Sequence, residues 1–167
     1  MSKEQTTDLL KFLKAFPSDR RELALKLRDF VWNLYPQTNE LVYDNFNALA
    51  FGWSPTDKVG DTFCTVALYR TNKNNHFGFY WGSQIKDPDK LLIGSGNQYR
   101  YILVDNFAEF PKTYIKKLLK EAYTSSLSKI KDEEKILNGR TIIKSISTAK
   151  RTTKKRLTKK TPVKRKR

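Results

Sequence analysis

Apolar residues recur with the spacing of an α-helix in three segments of the chain. The first segment predicts a short helix capped by Thr7 or Asp8, since its apolar residues fall at i, i+3, i+4 and i+7. The second begins after Pro17 and ends before Pro36, and the third begins at Pro111. The three stripes are Leu9, Phe12, Leu13 and Phe16; Leu23, Leu27, Phe30, Val31 and Leu34; and Ile115, Leu118, Leu119, Ala122 and Tyr123.

Between the second and third helices, the residues become rich in aromatic and β-branched types, as is typical of strands. Four short runs of this kind are separated by segments containing Pro, Gly, Asp and Asn, which predicts an antiparallel meander of about four to five strands. The runs are residues 48–54, 62–70, 76–82 and 99–104. A mainly antiparallel sheet packed with N-terminal and C-terminal helices indicates an α+β fold with a single domain.

Alternation within two of the runs separates large apolar side chains from small ones. The large positions are Leu49, Phe51 and Trp53 in one run and Phe77, Phe79 and Trp81 in another; the small positions are Ala48, Ala50, Gly52 and Gly78. An exposed aromatic face would be a platform for nucleobases, worth about 1–3 kcal/mol per stacked base. A covered aromatic face would be the hydrophobic core. We expect the core.

Charge divides the chain of 167 residues into two parts. Lys and Arg number 33 against 17 Asp and Glu, a net charge of +16, yet the last acidic residue is Glu134. Residues 144–167 contain 12 Lys or Arg and no acid, and their few apolar side chains cannot offset the entropy lost on ordering. We therefore predict an autonomous globular domain at residues 1–124, a connector with helical potential at 125–143, and a disordered polybasic tail at 144–167.

A flexible polycation binds phosphates through counterion release and without base specificity. We therefore predict a non-enzymatic binding protein that associates non-specifically with DNA or RNA through its tail. The residues expected to contact nucleic acid are Lys150, Arg151, Lys154, Lys155, Arg156, Lys159, Lys160, Lys164, Arg165, Lys166 and Arg167. Three alternatives remain open: a tail that only confers solubility, a nuclear-import signal, and an anionic membrane surface, for which the tail lacks an apolar anchor.

The single cysteine and the single histidine are not expected to form a catalytic pair. A thiolate nucleophile needs a nearby imidazole, but pairing the second run with the third through the loop at 71–75 places His76 opposite Arg70 and Cys64 opposite Gly82. At about 3.3 Å per residue, the two side chains would then lie roughly 20 Å apart. Cys64 is expected to be a buried structural thiol, and no catalytic residue is assigned. One cysteine also excludes an intramolecular disulfide.

Candidate metal sites are equally poor in ligands. Zinc needs three or four Cys, His or carboxylate ligands, and one Cys with one His cannot supply them. Two carboxylate pairs, Asp57 with Asp61 and Asp87 with Asp89, could hold a hard cation, but each pair falls in a turn, where Asp bonds to its own backbone. We expect turn roles for these aspartates and no metal site.

The glycine-rich segment before the last predicted strand permits two interpretations. Gly94 and Gly96 with the following Arg100 could bind an anion or a small ligand through backbone amides and a cation. The segment has no phosphate-loop motif and leads into a strand rather than a helix. A turn that needs positive φ is the interpretation we favour.

Five motifs follow one another at residues 43–49 (Tyr-Asp-Asn-Phe-Asn-Ala-Leu), 51–56 (Phe-Gly-Trp-Ser-Pro-Thr), 63–69 (Phe-Cys-Thr-Val-Ala-Leu-Tyr), 87–92 (Asp-Pro-Asp-Lys-Leu-Leu) and 94–96 (Gly-Ser-Gly). In order and spacing they resemble the YdhG-like family, a domain family of unknown function, over residues 5–124. The family's usual Lys after Gly-Ser-Gly is Asn97 here, and its usual Arg is retained as Arg100. The resemblance implies a compact α+β domain with helices around a mainly antiparallel sheet and no established reaction. Some members carry an iron-chaperone label.

A second hypothesis assigns function to the globular domain. The domain would be a small-ligand or iron-binding module of the chaperone type, and the tail would be only a solubility or localisation element. The ligand-binding residues would be Tyr43, Asn45, Trp53, Tyr80, Gly94, Gly96 and Arg100. The sequence names no cofactor. It contains no signal peptide and no apolar run of membrane-spanning length, and with the family resemblance we expect a bacterial cytoplasmic protein.

Overall fold

The computed structural model describes residues 3–132 and 139–152, and its three helices occur where the apolar stripes predict them. Helix α1 spans Lys3–Leu13, α2 spans Ser18–Leu34 and α3 spans Lys112–Ser128. Helices α2 and α3 each begin directly after a proline, Pro17 and Pro111, because the fixed φ of proline suits the start of a helix, where its missing N–H costs no hydrogen bond. Helix α2 ends at Leu34, before Pro36.

Six strands form one sheet in the order β5-β4-β3-β2-β1-β6. The strands are β1 (Asn39–Asp44), β2 (Ala48–Ser54), β3 (Cys64–Tyr69), β4 (Asn75–Tyr80), β5 (Tyr99–Val104) and β6 (Thr141–Ile146). Strands β1 to β5 pair antiparallel with their neighbours, and β6 lies parallel to β1. The predicted α+β class with a mainly antiparallel sheet is confirmed. The four predicted runs are β2 to β5, while β1 and β6 were not predicted.

One face of the sheet packs against the three helices and forms the hydrophobic core. Directly opposed residues of antiparallel strands share a face, and the register opposes Phe51 to Val66 and Val66 to Phe77. The buried strand residues of this core are Val42, Leu49, Phe51, Trp53, Cys64, Val66, Leu68, Phe77, Phe79, Ile102 and Val104. All three helices contribute buried residues to the same cluster. The face with the large apolar residues is therefore core, as expected, and cannot stack bases.

Trp81 does not belong to that face, contrary to the alternation of its run. Strand β4 ends at Tyr80, and Trp81 adopts φ 56° and ψ 28°, the left-handed conformation. The Trp81 indole donates to the Gly60 carbonyl over 3.1 Å and lies under the Lys129 ammonium. A bulky residue with positive φ is costly, so these contacts hold a turn that ends the strand earlier than predicted.

The register of β3 with β4 differs from the prediction by three residues. Cys64 opposes Phe79, and Ala67 opposes His76, instead of the predicted partners Gly82 for Cys64 and Arg70 for His76. A shift by an odd number moves every side chain to the other face, and only the observed register places Phe77 and Phe79 on the core face. Arg70 lies beyond the end of β3 at Tyr69, and its backbone N–H bonds to the Asn47 carbonyl on the β2 side.

Strand β6 makes residues 141–146 part of the sheet, which corrects the boundaries predicted for the domain. Helix α3 continues through Ser128, and β6 pairs with β1 along its length. Helix α1 supports β6, since Gln5 Oε1 accepts the Ile143 N–H over 2.9 Å and Thr6 contacts Thr141. This support explains why α1 begins before the predicted cap at Thr7 or Asp8. The globular domain does not end at residue 124, residues 125–143 are not merely a connector, and residues 144–146 are strand rather than tail.

Candidate functional site

The second face of the sheet carries most of the tyrosines of the chain. Residues that alternate with the core positions point to this face, and the register brings them together across five strands. Its aromatic residues are Tyr43, Tyr69, His76, Tyr80, Tyr99 and Tyr101; the remaining strand residues are Asn39, Leu41, Ala48, Ala50, Gly52, Ser54, Thr65, Ala67, Gly78 and Leu103. We call this surface the tyrosine face. None of these strand positions is Asp, Glu, Lys or Arg.

The rings of the tyrosine face stack along β4 and β5. His76 lies against Tyr101 with centroids 4.4 Å apart and an interplanar angle of 19°, and Tyr101 lies against Tyr99 at 5.7 Å and 20°. The Tyr99 ring leans over Gly78, where a Cβ atom would come within 2.2 Å of its hydroxyl oxygen. Glycine at position 78 is therefore required for this packing.

Small residues beside these rings leave a groove of about 210 Å³. Its lining residues are Ala50, Thr65, Ala67, Tyr69, Tyr80, Gln98 and Tyr99. The five tyrosines are partly exposed, whereas His76 is only 6% exposed. The three helices pack on the other face, so the described helices leave this groove open.

Several polar atoms on the tyrosine face are buried without a hydrogen-bond partner. They are the Tyr43 hydroxyl and both ring nitrogens of His76. Burial, and the positive charge of Arg20, lower the pKa of His76, which keeps its imidazole neutral. Burial and the nearby Tyr80 raise the pKa of Tyr43 to about 12. Burial likewise raises the pKa of Tyr80 and Tyr99, so the face carries neutral hydroxyls near neutral pH.

A second surface feature is a cleft of about 740 Å³ between the turn that joins α1 to α2 and the turn that joins β3 to β4. We call it the basic cleft. Its lining residues are Ala15, Phe16, Pro17, Asp19, Arg20, Arg70, Thr71, Asn72, Lys73, Lys150, Arg151 and Thr152. It adjoins the tyrosine face, because Tyr69 on that face precedes Arg70 in the chain and its carbonyl accepts a hydrogen bond from Arg20 over 3.1 Å.

Cations outnumber carboxylates at the basic cleft. Arg20 is only 7% exposed, and it donates to the carbonyls of Asn72 and Asn74 and to Asn75 Oδ1. These partners are neutral oxygens. Arg70 and Lys150 share the carboxylate of Asp44, at 2.5 and 2.9 Å.

Five cations line the cleft, and the carboxylates of Asp19 and Asp44 offset two of them, which leaves 5 − 2 = +3. Such an excess within one concave surface attracts anions.

The structure does not bring all the predicted ligand-binding residues together. Tyr43 and Tyr80 both lie on the tyrosine face, and Tyr80 contributes to the raised pKa of Tyr43. Trp53 is fully buried on the opposite, core-facing side of the sheet. Asn45 is an exposed turn residue whose Oδ1 accepts from the Ser145 hydroxyl over 2.6 Å. Of these four residues, only Tyr43 and Tyr80 thus share one candidate surface, the tyrosine face.

The remaining predicted ligand residues cluster before β5 and at its start. Gly94 has φ +123°, so it occupies a turn that favours glycine. Arg100 donates to the carbonyls of Gly96 and Tyr99. The cation therefore bonds backbone oxygens of its own turn, and the interpretation as a positive-φ turn fits this geometry.

Two of the predicted nucleic-acid contacts lie within the described residues. Lys150 donates to the Asp44 carbonyl over 2.5 Å, and the Arg151 backbone N–H donates to the Phe46 carbonyl over 2.8 Å. The Arg151 guanidinium also reaches Asn47 Oδ1 at 3.1 Å. The chain thus follows the β1–β2 turn as it enters the basic cleft. The other predicted contacts lie outside the described residues: Lys154, Lys155, Arg156, Lys159, Lys160, Lys164, Arg165, Lys166 and Arg167.

Cys64 and one member of each aspartate pair occupy structural positions, and Asp61 accepts the Thr56 hydroxyl over 2.6 Å. Cys64 is fully buried on the core face, whereas His76 lies on the opposite face, so they cannot act as a pair. Asp87 accepts the N–H groups of Leu91 and Leu92 and the Tyr114 hydroxyl. Within residues 3–132 and 139–152, no group of three His, Cys, Asp or Glu side chains is arranged to hold a metal ion.

Sequence reasoning missed most of the residues at these two surfaces. Tyr69, Tyr99 and Tyr101 were not assigned to a site, although alternation within their strands could have placed them opposite the core. No local sequence pattern identifies Arg20 or Lys73 as site residues, because the two meet only when the α1–α2 turn folds against the β3–β4 turn.

Comparison with protein-family models, with curated proteins and with solved structures finds no match to this chain. The resemblance to the YdhG-like family therefore stays a prediction. None of the helices described here combines the length and apolar character needed to span a membrane.

Proposed function

We propose that the protein binds nucleic acid non-specifically through its C-terminal Lys/Arg-rich segment and the basic cleft where that segment begins. One observation carries the proposal: Lys150, Arg151 and Thr152 line the same cleft as Arg20, Arg70 and Lys73. Nine further Lys and Arg follow at residues 153–167, with no acidic residue among them. The Lys/Arg-rich segment thus begins at a positively charged surface of the folded domain.

Phosphate contacts of this kind position a protein without reading bases. If about eight cations engage phosphates of duplex DNA, log affinity should fall against log salt concentration with a slope near −7, because each contact contributes about −0.9. We propose no reaction. A cytoplasmic location and membership of the YdhG-like family remain part of the proposal, and they rest on the sequence alone.

The test compares four chains on a short duplex at several salt concentrations: the full chain, a chain ending at Thr152, the double variant Lys73→Gln/Arg151→Gln, and Lys117→Gln. Lys117 is an exposed residue of α3 that does not line the cleft, so it is the matched control. We expect the shortened chain to lose most of the affinity. The double variant should flatten the slope by about 2 units, at about 0.9 per contact.

Two results would refute the proposal. One is a shortened chain that binds as tightly as the full chain. The other is a difference in affinity of more than about tenfold between unrelated duplex sequences, which phosphate contacts alone cannot produce. Either result would favour the alternative of a small-ligand or iron-binding domain with a tail for solubility or localisation. Substitution of Arg100 or Trp53 should leave duplex binding unchanged.

A further inference from the structure

We propose that the tyrosine face is a platform on which bases of single-stranded nucleic acid stack. The proposal rests on the proposed function and deepens it, since it names the form of nucleic acid that the folded domain prefers. Five partly exposed tyrosines on one sheet face, beside a groove of about 210 Å³, are its starting observation.

The chemistry of the face suits unpaired bases. Every base has a π-surface that can stack on an aromatic ring, and in a duplex these surfaces are already covered. The short side chains of Ala50, Thr65 and Ala67 line the groove beside the rings, so planar bases have room to insert. Neutral phenol hydroxyls can donate to, or accept from, base edges.

The charges around the face fit a strand whose phosphates lie at its rim. The strand positions of the face hold no carboxylate that would repel phosphates. Arg70 follows Tyr69 directly, Lys73 is exposed in the same turn, and Lys144 is exposed on the edge strand β6. Cations at the rim and uncharged rings in the middle are complementary to a single strand, with its charged backbone and aromatic bases.

The tail starts close enough to assist. The tail begins after Thr152, which lies near the end of β3, and fifteen residues follow Thr152 in the sequence. Fully extended, fifteen residues span up to about 50 Å, more than twice the roughly 20 Å length of a six-residue strand. A second copy of the chain is a poorer occupant for the face, because two chains of net charge +16 repel each other.

The experiment measures binding of the full chain to a labelled oligothymidylate and to a duplex of equal length. The variants are Tyr69→Leu and Tyr80→Leu, with Tyr69→Phe and Tyr80→Phe as matched controls that keep the ring, because Tyr69 and Tyr80 line the groove, whereas Tyr101 is already stacked against His76 and Tyr99. Phe46→Leu is a further control, because Phe46 is an exposed aromatic residue in the β1–β2 turn, outside the face. Thermal unfolding of each variant establishes that it is folded.

We expect each Leu variant to bind the single strand about five- to tenfold more weakly, the loss of roughly one stacked base. The Phe variants and Phe46→Leu should stay within about twofold, since every stacking ring of the face is retained. Duplex affinity and its salt slope should not change in any of them. Photo-crosslinking of a 5-iodouracil oligonucleotide to the wild-type chain should label peptides that contain Tyr69, Tyr80 or Tyr101.

The outcomes separate this inference from the proposed function. Unchanged single-strand binding in the Leu variants, or crosslinks confined to residues 150–167, overturns the platform while tail binding to duplex stands. If the wild-type chain binds neither the single strand nor the duplex, both proposals are refuted. A dimer that sedimentation detects in the wild-type chain but not in Tyr80→Leu would assign the face to a second copy and also overturn the inference. Should a Leu variant unfold, the crosslinking result on the wild-type chain decides.

Discussion

The hydroxyl of Thr141 in β6 donates a hydrogen bond of 3.0 Å to Oε1 of Glu40 in β1. Glu40 is fully buried and also receives the Arg28 guanidinium, with Nε 2.6 Å from Oε2 and Nη2 3.0 Å from Oε1. The Arg28 guanidinium in turn lies 4.7 Å from the centre of the Trp32 ring. Burial raises the pKa of Glu40, and the hydrogen bonds from Arg28 and Thr141 oppose that change. Thr141, which lies more than a hundred positions away in the sequence, thus completes the hydrogen bonds of the buried Glu40 carboxylate.

Removal of β6 should therefore unfold or strongly destabilise the domain. A chain that ends at Asp132 exposes the β1 edge and leaves Glu40 without Thr141. We expect it to lose a cooperative thermal transition measured by circular dichroism. A chain that ends at Thr152 keeps all six strands and should retain the transition. An unchanged melting temperature for the shorter chain would show that β6 contributes nothing to stability.

Thr141→Val tests the single hydrogen bond. Valine has nearly the same shape but no hydroxyl, so the free energy of unfolding should fall by about 1.5–3 kcal/mol, the range for a hydrogen bond to a charged group. Thr141→Ser keeps the hydroxyl and should lose much less. Chemical denaturation of both variants supplies the measurement, and equal losses would contradict the role of the hydrogen bond.

Removal of one partner of the ion pair should cost more than removal of both. Glu40→Ala leaves the buried Arg28 guanidinium without its carboxylate, which should cost about 3–5 kcal/mol in the free energy of unfolding. The double variant Arg28→Met/Glu40→Leu replaces both charges with apolar groups and should be clearly more stable than Glu40→Ala. A double variant as unstable as the single one would show that packing, not charge, dominates the site.

Cys64 should react slowly with thiol reagents in the native protein. Burial raises the pKa of its thiol well above the usual value, so little of the reactive thiolate is present. Burial also keeps the reagent away from the sulfur atom. Labelling should be fast in denaturant and slow in buffer. Rapid modification in buffer would mean that β3 opens readily, since Cys64 is fully covered in the folded sheet.

His76 should make stability fall in mild acid. Its pKa in the folded state lies below the usual value, so its contribution is present above the unfolded pKa of about 6.5 and is lost as pH falls toward the lower folded pKa. Between those two values the unfolded chain binds more protons. The variant His76→Phe should show a weaker loss of stability from pH 7 to pH 5 than the wild-type protein. Identical pH profiles would contradict the prediction.

The sequence alone was sufficient for the elements whose signal is local. Proline positions and apolar spacing predicted where α2 begins and ends, and alternation predicted strands β2 to β5 and the core role of Phe51 and Phe77. These features depend on neighbours within one or two turns or strand repeats, so a reading along the chain can find them. The concentration of positive charge after Glu134 is likewise visible without a structure.

Only the tertiary structure decided which of these local features meet. Strand β6 has ordinary composition, and it becomes a strand because β1 offers an edge and Gln5 and Thr6 support it. The tyrosine face and the basic cleft arise from register and from contacts between distant turns, where a shift of one residue would turn every ring to the other side. Alternation within a strand shows which of its residues share a face, but only long-range pairing decides which residues of different strands and turns meet.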